Sequence, residues 1–201
     1  MGANLWGHAT ETEVTMEELL IVCKAVRRGV KRALVSCDIP YGPAQAGAEA
    51  AAGAALRLAK EGGADMVKIL GDEAAVRAIV RAGVPVFAEF HGANDPVEKL
   101  VEQAKRLEQA GAALLDFRHS GPGAGPAVVR AVSIPVIGGL GGGPWLDGRM
   151  RMVNAAIGYA ASAIDSKAET YANVARITLD AITAYAEDVR AGRQLKGQRL
   201  G

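Results

Sequence analysis

Two cysteines, Cys23 and Cys37, are all that the 201 residues contain. They are too few for a disulfide scaffold and do not have metal-ligand spacing. Charge of one sign is lacking too: 23 Lys and Arg against 22 Asp and Glu leave a net charge of +1. A nucleic-acid surface needs a basic excess or stripe, and only the short group Arg27, Arg28, Lys31 and Arg32 comes close. That group reads as a solvated helix end, so no nucleic-acid partner is expected. No apolar run approaches the ~20 residues of a membrane span, and the N-terminus does not have the layout of a signal peptide. These absences set the expectation of a single cytoplasmic domain over residues 1–201, with no membrane partner.

Glycine, by contrast, is abundant at 25 residues, and much of it falls at one recurring place. Helical stretches end in glycine and a short Val/Ile/Leu run follows. Thr15 with Glu18 has capping-box spacing and opens a helix over 16–28 that closes at Gly29, before a run ending at Asp38. An Ala-rich helix over 45–61 stops at Gly62-Gly63 and leads into Met66-Val67-Lys68-Ile69-Leu70. Helices over 73–82, 97–110 and 127–132 precede runs at 84–89, 113–117 and 134–138. A weaker sixth strand is expected near 155–159, and a terminal helix over about 168–190.

Apolar runs alternating with amphipathic helices predict a parallel sheet covered by helices, since a strand buried on both faces shows no polar side. An open doubly wound sheet and a (β/α)8 barrel both satisfy this. The first wants a G-x-G-x-x-G turn after the first strand, and Ile39-Pro40-Tyr41-Gly42-Pro43 is not one. The dense cluster Gly138-Gly139-Leu140-Gly141-Gly142-Gly143 comes after the fifth strand instead. There it suits the anion pocket that many barrels build after their seventh strand, which makes Gly139 and Gly141 candidate substrate-binding positions. Tight packing would call for glycine equally. The expectation is therefore an α/β chain of (β/α)8 TIM-barrel type, lacking the first one to two strands.

Several blocks carry a resemblance. They are Gly7-His8-Ala9-Thr10, Ala25-Val26-Arg27-Arg28-Gly29, Asp38-Ile39-Pro40-Tyr41, Gly63-Ala64-Asp65-Met66-Val67-Lys68-Ile69 and Ile134-Pro135-Val136-Ile137-Gly138. In order and over nearly the whole chain, they resemble ketopantoate hydroxymethyltransferase (3-methyl-2-oxobutanoate hydroxymethyltransferase). The resemblance implies a barrel assembled as a homo-oligomer, usually a decamer. It implies transfer of a one-carbon unit from methylenetetrahydrofolate to 3-methyl-2-oxobutanoate, a 2-oxo acid, with Mg²⁺ assisting enolisation. It also implies that Asp38 binds the metal and Lys68 contacts the oxo acid.

Three positions depart from the family pattern. Leu70 stands where the family has a glutamate, although Asp72 and Glu73 are close by. Arg118 stands where a general-base glutamate is expected, and Glu89 where the family usually has a histidine. The family's first metal aspartate would fall just before Met1.

Side chains alternate along a strand, so Met66 and Leu70 share a face with Lys68, and register with the family implies that Asp38, Glu89, Asp116 and Arg118 face the same way. Arg118 cannot accept a proton but can clamp a carboxylate in two-point geometry. Glu89 reads either as a relocated catalytic base or as half of an interior ion pair with Arg118. His91 and His119 read as rim residues, solvated or joining Asp38 at a transition metal. His8 is assigned a loop role, and Trp6 and Trp145 are read as pocket wall or subunit contact. Other outcomes left open are a lyase acting on another oxo acid and an inactive homologue that binds or assembles.

Overall fold

The computed structural model describes residues 5–92, 95–138 and 143–197. The chain forms two compact units, Met1–Met150 and Arg151–Gly201. The first holds helices α1 (Met16–Gly29), α2 (Tyr41–Gln45), α3 (Ala48–Lys60), α4 (Glu73–Arg81), α5 (Val97–Gln109) and α6 (Gly121–Ala131). Between them lie strands β1 (Ser36–Asp38), β2 (Met66–Leu70), β3 (Val86–His91), β4 (Leu114–Arg118), β5 (Val136–Gly138) and β6 (Gly148–Arg149). The second unit holds α7 (Val153–Ala156) and α8 (Val174–Arg190).

The six strands form one sheet in the order β1-β2-β3-β4-β5-β6, and every neighbouring pair is parallel. Strand order decides between the two architectures. A doubly wound sheet reverses its direction of growth once and so places helices on both faces. Here each crossover steps the same way, and right-handed crossovers then carry every helix to one face. The result is an α/β fold with a curled, singly wound parallel sheet, as in part of a TIM barrel.

Local chemistry explains the helices on that face. Thr15 and Glu18 cap α1 reciprocally: Thr15 Oγ1 accepts from the Glu18 N–H at 3.2 Å, and Glu18 Oε2 accepts from the Thr15 N–H at 2.7 Å. His8 keeps to its expected loop role, with Nε2 2.8 Å from Glu18 Oε1. Asp72 caps α4 by accepting from the Ala74 N–H at 2.9 Å. On α3, buried Ala51, Ala52, Ala54 and Ala55 let it lie close against α4. Gly47, at φ +105°, separates the short α2 from α3, so the helix expected over 45–61 starts three residues later, at Ala48.

Alternate strand residues pack under these helices. Val67, Val86, Ala88, Phe90, Leu115, Phe117 and Val136 are all buried in a single core with Leu58, Val76, Ile79, Leu100 and Leu107. Phe90 and Phe117 stack with ring centroids 4.5 Å apart. Cys23 on α1 and Cys37 on β1 are free thiols at one edge of that core. Burial, with Cys23 and Asp38 adding to it, pushes the Cys37 thiol up to about 12.

Three sequence expectations need correction. The sixth strand is Gly148–Arg149 rather than 155–159, where α7 and a turn stand. The terminal helix starts at Val174, because the Asn173 side chain accepts from the Arg176 N–H and caps it there. Helix α6 begins six residues before 127, through a Gly- and Pro-rich first turn that periodicity does not mark as helical. No helix among the described residues is long and apolar enough to cross a membrane.

Candidate functional site

The face of the sheet turned away from the helices carries the charged residues. In parallel strands, register partners point the same way. Asp38 pairs with Lys68, Lys68 with Phe87, Leu70 with Glu89, Glu89 with Asp116, and His91 with Arg118. The expected common face for Asp38, Lys68, Glu89, Asp116 and Arg118 is therefore present, and His91 joins it. Asp38, Glu89, His91 and Arg118 stand toward the carboxyl ends of their strands, where parallel-sheet enzymes place their chemistry, while Lys68 and Asp116 are the central residues of β2 and β4.

Lys68 is the hub. Its ammonium is ion-paired with Glu89 Oε2 and lies 2.7 Å from Asp116 Oδ2. It also sits 5.4 Å from the centroid of the Phe87 ring, within cation–π range. Burial pushes the ammonium's pKa down, but hydrogen bonds to Asp116 and Glu89 and their charges outweigh that, so it stands above the usual lysine value. Lys68 is a fixed cation.

Glu89 is gripped on both oxygens. Arg118 Nη1 donates to Oε1 at 2.6 Å, while Oε2 faces Lys68. Burial pushes this carboxyl up, but hydrogen bonds from Lys68 and Arg118, with their charges, hold it below the usual carboxylate range. Of the two roles open to Glu89, these are the distances of the interior ion pair. His91 Nε2 lies 3.3 Å from Glu89 Oε1. Asp116 is only 1% exposed, so it supports Lys68 from below.

Asp38 differs from these acids. Among the described residues it makes no hydrogen bond or ion pair, though its carboxylate is accessible on the open face. Crowding by protein still withdraws enough water to push its carboxyl above the ordinary value; Lys68 opposes this, and Glu89 and Asp116 add to it. A desolvated carboxylate that makes no direct ion pair among the described residues suits a cation. Mg²⁺ keeps several waters and is commonly held by one or two carboxylates plus substrate oxygens. Asp38 fits as one such ligand.

Other expected site residues are not brought together. Gly139 and Gly141 lie outside the described residues. At the described ends of that cluster, close packing explains the glycines: a Cβ on Gly138 would meet Leu146 at 2.6 Å, and one on Gly143 would meet Trp145 at 2.3 Å. No three His, Cys, Asp or Glu side chains among the described residues could hold a metal, so His91, His119 and Asp38 do not form a transition-metal site. His119 is exposed with φ +56°. Asp72 and Glu73 do not replace the glutamate missing at Leu70, because one caps α4 and the other pairs with Arg77 and Arg106.

Sequence reasoning placed Asp116 on this face without giving it a role, set His91 only at the rim, and missed Phe87. The signal was there in the two-residue alternation. Asp116 shares parity with Arg118, and His91 shares it with Glu89 once β3 runs two residues past 89.

A family model described as ketopantoate hydroxymethyltransferase matches residues 1–93 and 89–194. The chain belongs to the ketopantoate hydroxymethyltransferase family. A 3-methyl-2-oxobutanoate hydroxymethyltransferase of Arthrobacter sp. is 32% identical, covering 94% of this chain and 69% of its own. One from Thermobifida fusca is 33% identical over 94% and 73%, and one from Desulfotalea psychrophila 32% over 96% and 75%. These relatives are named as transferases, and the family is one of enzymes. The carboxyl transferase domain of Rhizobium etli pyruvate carboxylase, with pyruvate and biocytin, shares the fold. Its TM-score is 0.54 at 16% identity, covering 94% of this chain and 40% of that one.

Proposed function

We propose that this member of the ketopantoate hydroxymethyltransferase family transfers a hydroxymethyl unit from methylenetetrahydrofolate to a 2-oxo acid such as 3-methyl-2-oxobutanoate, giving ketopantoate for pantothenate biosynthesis. The observation that carries the reading is the Lys68 ammonium, held between Glu89 and Asp116 on the helix-free face beside Asp38 and Arg118. Singly wound strand order supports placing the six strands in a (β/α)8 barrel with that face inward.

The chemistry follows from charge. Loss of the proton at C3 of the oxo acid shifts negative charge onto the carbonyl oxygen, and a cation already in place stabilises that charge without reorganising. Lys68 provides it. Arg118, partly exposed beside Glu89, binds the acid's carboxylate with its remaining guanidinium N–H groups. Leu70, exposed at the mouth of the same face, offers apolar surface to the branched alkyl end. Asp38 would hold Mg²⁺, which supplies Lewis-acid polarisation of the oxo acid when bound. We further assign the chain to the cytoplasm as a homo-oligomer. Two thiols left unbridged support the first assignment, and exposed Ile177, Ile182, Tyr185 and Val189 on α8 support the second.

The test is direct. With 3-methyl-2-oxobutanoate, Mg²⁺ and methylenetetrahydrofolate, NMR should show ketopantoate accumulating, and Lys68→Met should reduce its rate at least 100-fold. No ketopantoate from the unaltered protein would overturn the transferase reading. A thermal shift by oxo acid plus Mg²⁺ alone would then favour a lyase or a binding homologue.

A further inference from the structure

We propose that His91 is the proton-transfer residue of this site and Glu89 its positioning partner; the inference rests on the enolising reaction proposed above. The site needs a group to take the C3 proton, and its other candidates are committed elsewhere. Arg118 is a guanidinium and accepts none. Lys68 is held protonated by two carboxylates. Glu89 has a cation on each oxygen. Asp116 is 1% exposed and bound to Lys68, out of a substrate's reach. Asp38 is the carboxylate fitted to the divalent ion.

His91 is differently placed. It is the last residue of β3, on the same face as Glu89 and level with Arg118. Its side chain is 47% exposed, and Nε2 lies 3.3 Å from Glu89 Oε1. A carboxylate beside one ring nitrogen keeps the proton there and leaves the other nitrogen with its lone pair. The same carboxylate then faces the imidazolium that forms when Nδ1 accepts a proton, as in other base–orienter pairs. Two cations fix Glu89, so the orienting group cannot swing away.

His91 also lines, with Glu89 and Leu70, an open groove of about 400 Å³ that runs out to α5. The other charged groups there are paired: Lys99 lies 2.7 Å from Asp95, and Arg106 3.3 Å from Glu73. With those groups paired, the half-exposed imidazole is the base that the described residues present to the groove. In the step, the C3–H bond breaks and its electron pair moves into the C2–C3 bond as the carbonyl becomes an enolate. The proton goes to Nδ1 and from there to water in the groove.

Exchange tests this without the folate. In D2O with Mg²⁺, the protein should replace the C3 hydrogen of 3-methyl-2-oxobutanoate with deuterium, read by NMR. His91→Ala should slow exchange at least 100-fold, leave the melting temperature and the oxo acid's thermal shift in place, and recover rate on addition of free imidazole. Glu89→Gln should slow exchange and displace its pH profile. If the unaltered protein does not exchange, the enolising reaction falls and this proposal with it. If it exchanges and His91→Ala keeps pace, only the role of His91 falls. Slow exchange in His91→Ala that imidazole does not restore marks a structural residue and equally overturns the proposal.

Discussion

Lys68, Glu89, Asp116 and Arg118 are a cluster of opposite charges largely out of water, and such clusters contribute little net stability while they remain whole. Removing one member is a different matter. Lys68→Met takes the cation from two carboxylates at once, so it should lower unfolding stability in urea by about 3 kcal/mol as well as stopping the reaction. The pH dependence has a definite sign. Glu89 is held below its unfolded value of 4.5, so its contribution is present above pH 4.5 and lost as pH falls through the lower, folded value. Lys68 is held above 10.5, so its contribution is complete below pH 10.5 and lost as pH rises beyond it. Thermal melts should therefore show a plateau from this cluster between those limits and a fall on either side. Asp38 runs the other way, since its carboxyl is raised above 3.8 and its ionised form opposes folding. Asp38→Asn should raise the melting temperature at pH 7 in metal-free buffer while removing any stabilisation by Mg²⁺.

At the scale of elements, α6 shows how one small residue fixes a contact. Trp145, on the segment between β5 and β6, lies against Gly125 of α6 and donates from Nε1 to Ser120 Oγ at 2.8 Å. A Cβ on Gly125 would come within 2.1 Å of the indole. Gly125→Ala should displace Trp145, break that hydrogen bond and cost about 1–3 kcal/mol, seen as a lower urea midpoint with altered tryptophan fluorescence. The same helix marks where the sequence stops being readable. The β2 and β4 runs were legible because each is a short, mainly apolar run that follows a helix closed by glycine. The capping box of Thr15 and Glu18 likewise announced α1. The start of α6 was not legible, because Gly121-Pro122-Gly123 has the composition of a loop, and the helix is anchored only further on, by buried Ala124, Gly125 and Val128. The sixth strand was missed for a related reason: Gly148–Arg149 is two residues long, and its place is set by pairing to Ile137 and Gly138 rather than by any apolar run. The site was half legible. Alternation, together with register against the family, put five charged residues on one face, but neither could tell which would bind which, because that depends on how neighbouring strands pair.

For the molecule as a whole, six parallel strands in chain order leave one face of the sheet to helices and the other to chemistry, which is why so many charges can share it. The second unit exposes Ile177, Ile182, Tyr185 and Val189 along α8. If homo-oligomers form through this helix, Ile177→Asp with Ile182→Asp should shift sedimentation toward smaller species while far-UV circular dichroism stays unchanged. The two thiols supply a built-in reporter for such experiments. Cys23 and Cys37 are both shielded from solvent, and burial raises both thiols, Cys37 to about 12, which disfavours the reactive thiolate at neutral pH. A maleimide dye should therefore leave the native chain unlabelled for as long as α1 stays seated on β1. Its rate of attachment then clocks how often that corner of the fold breathes open, with no engineered probe required.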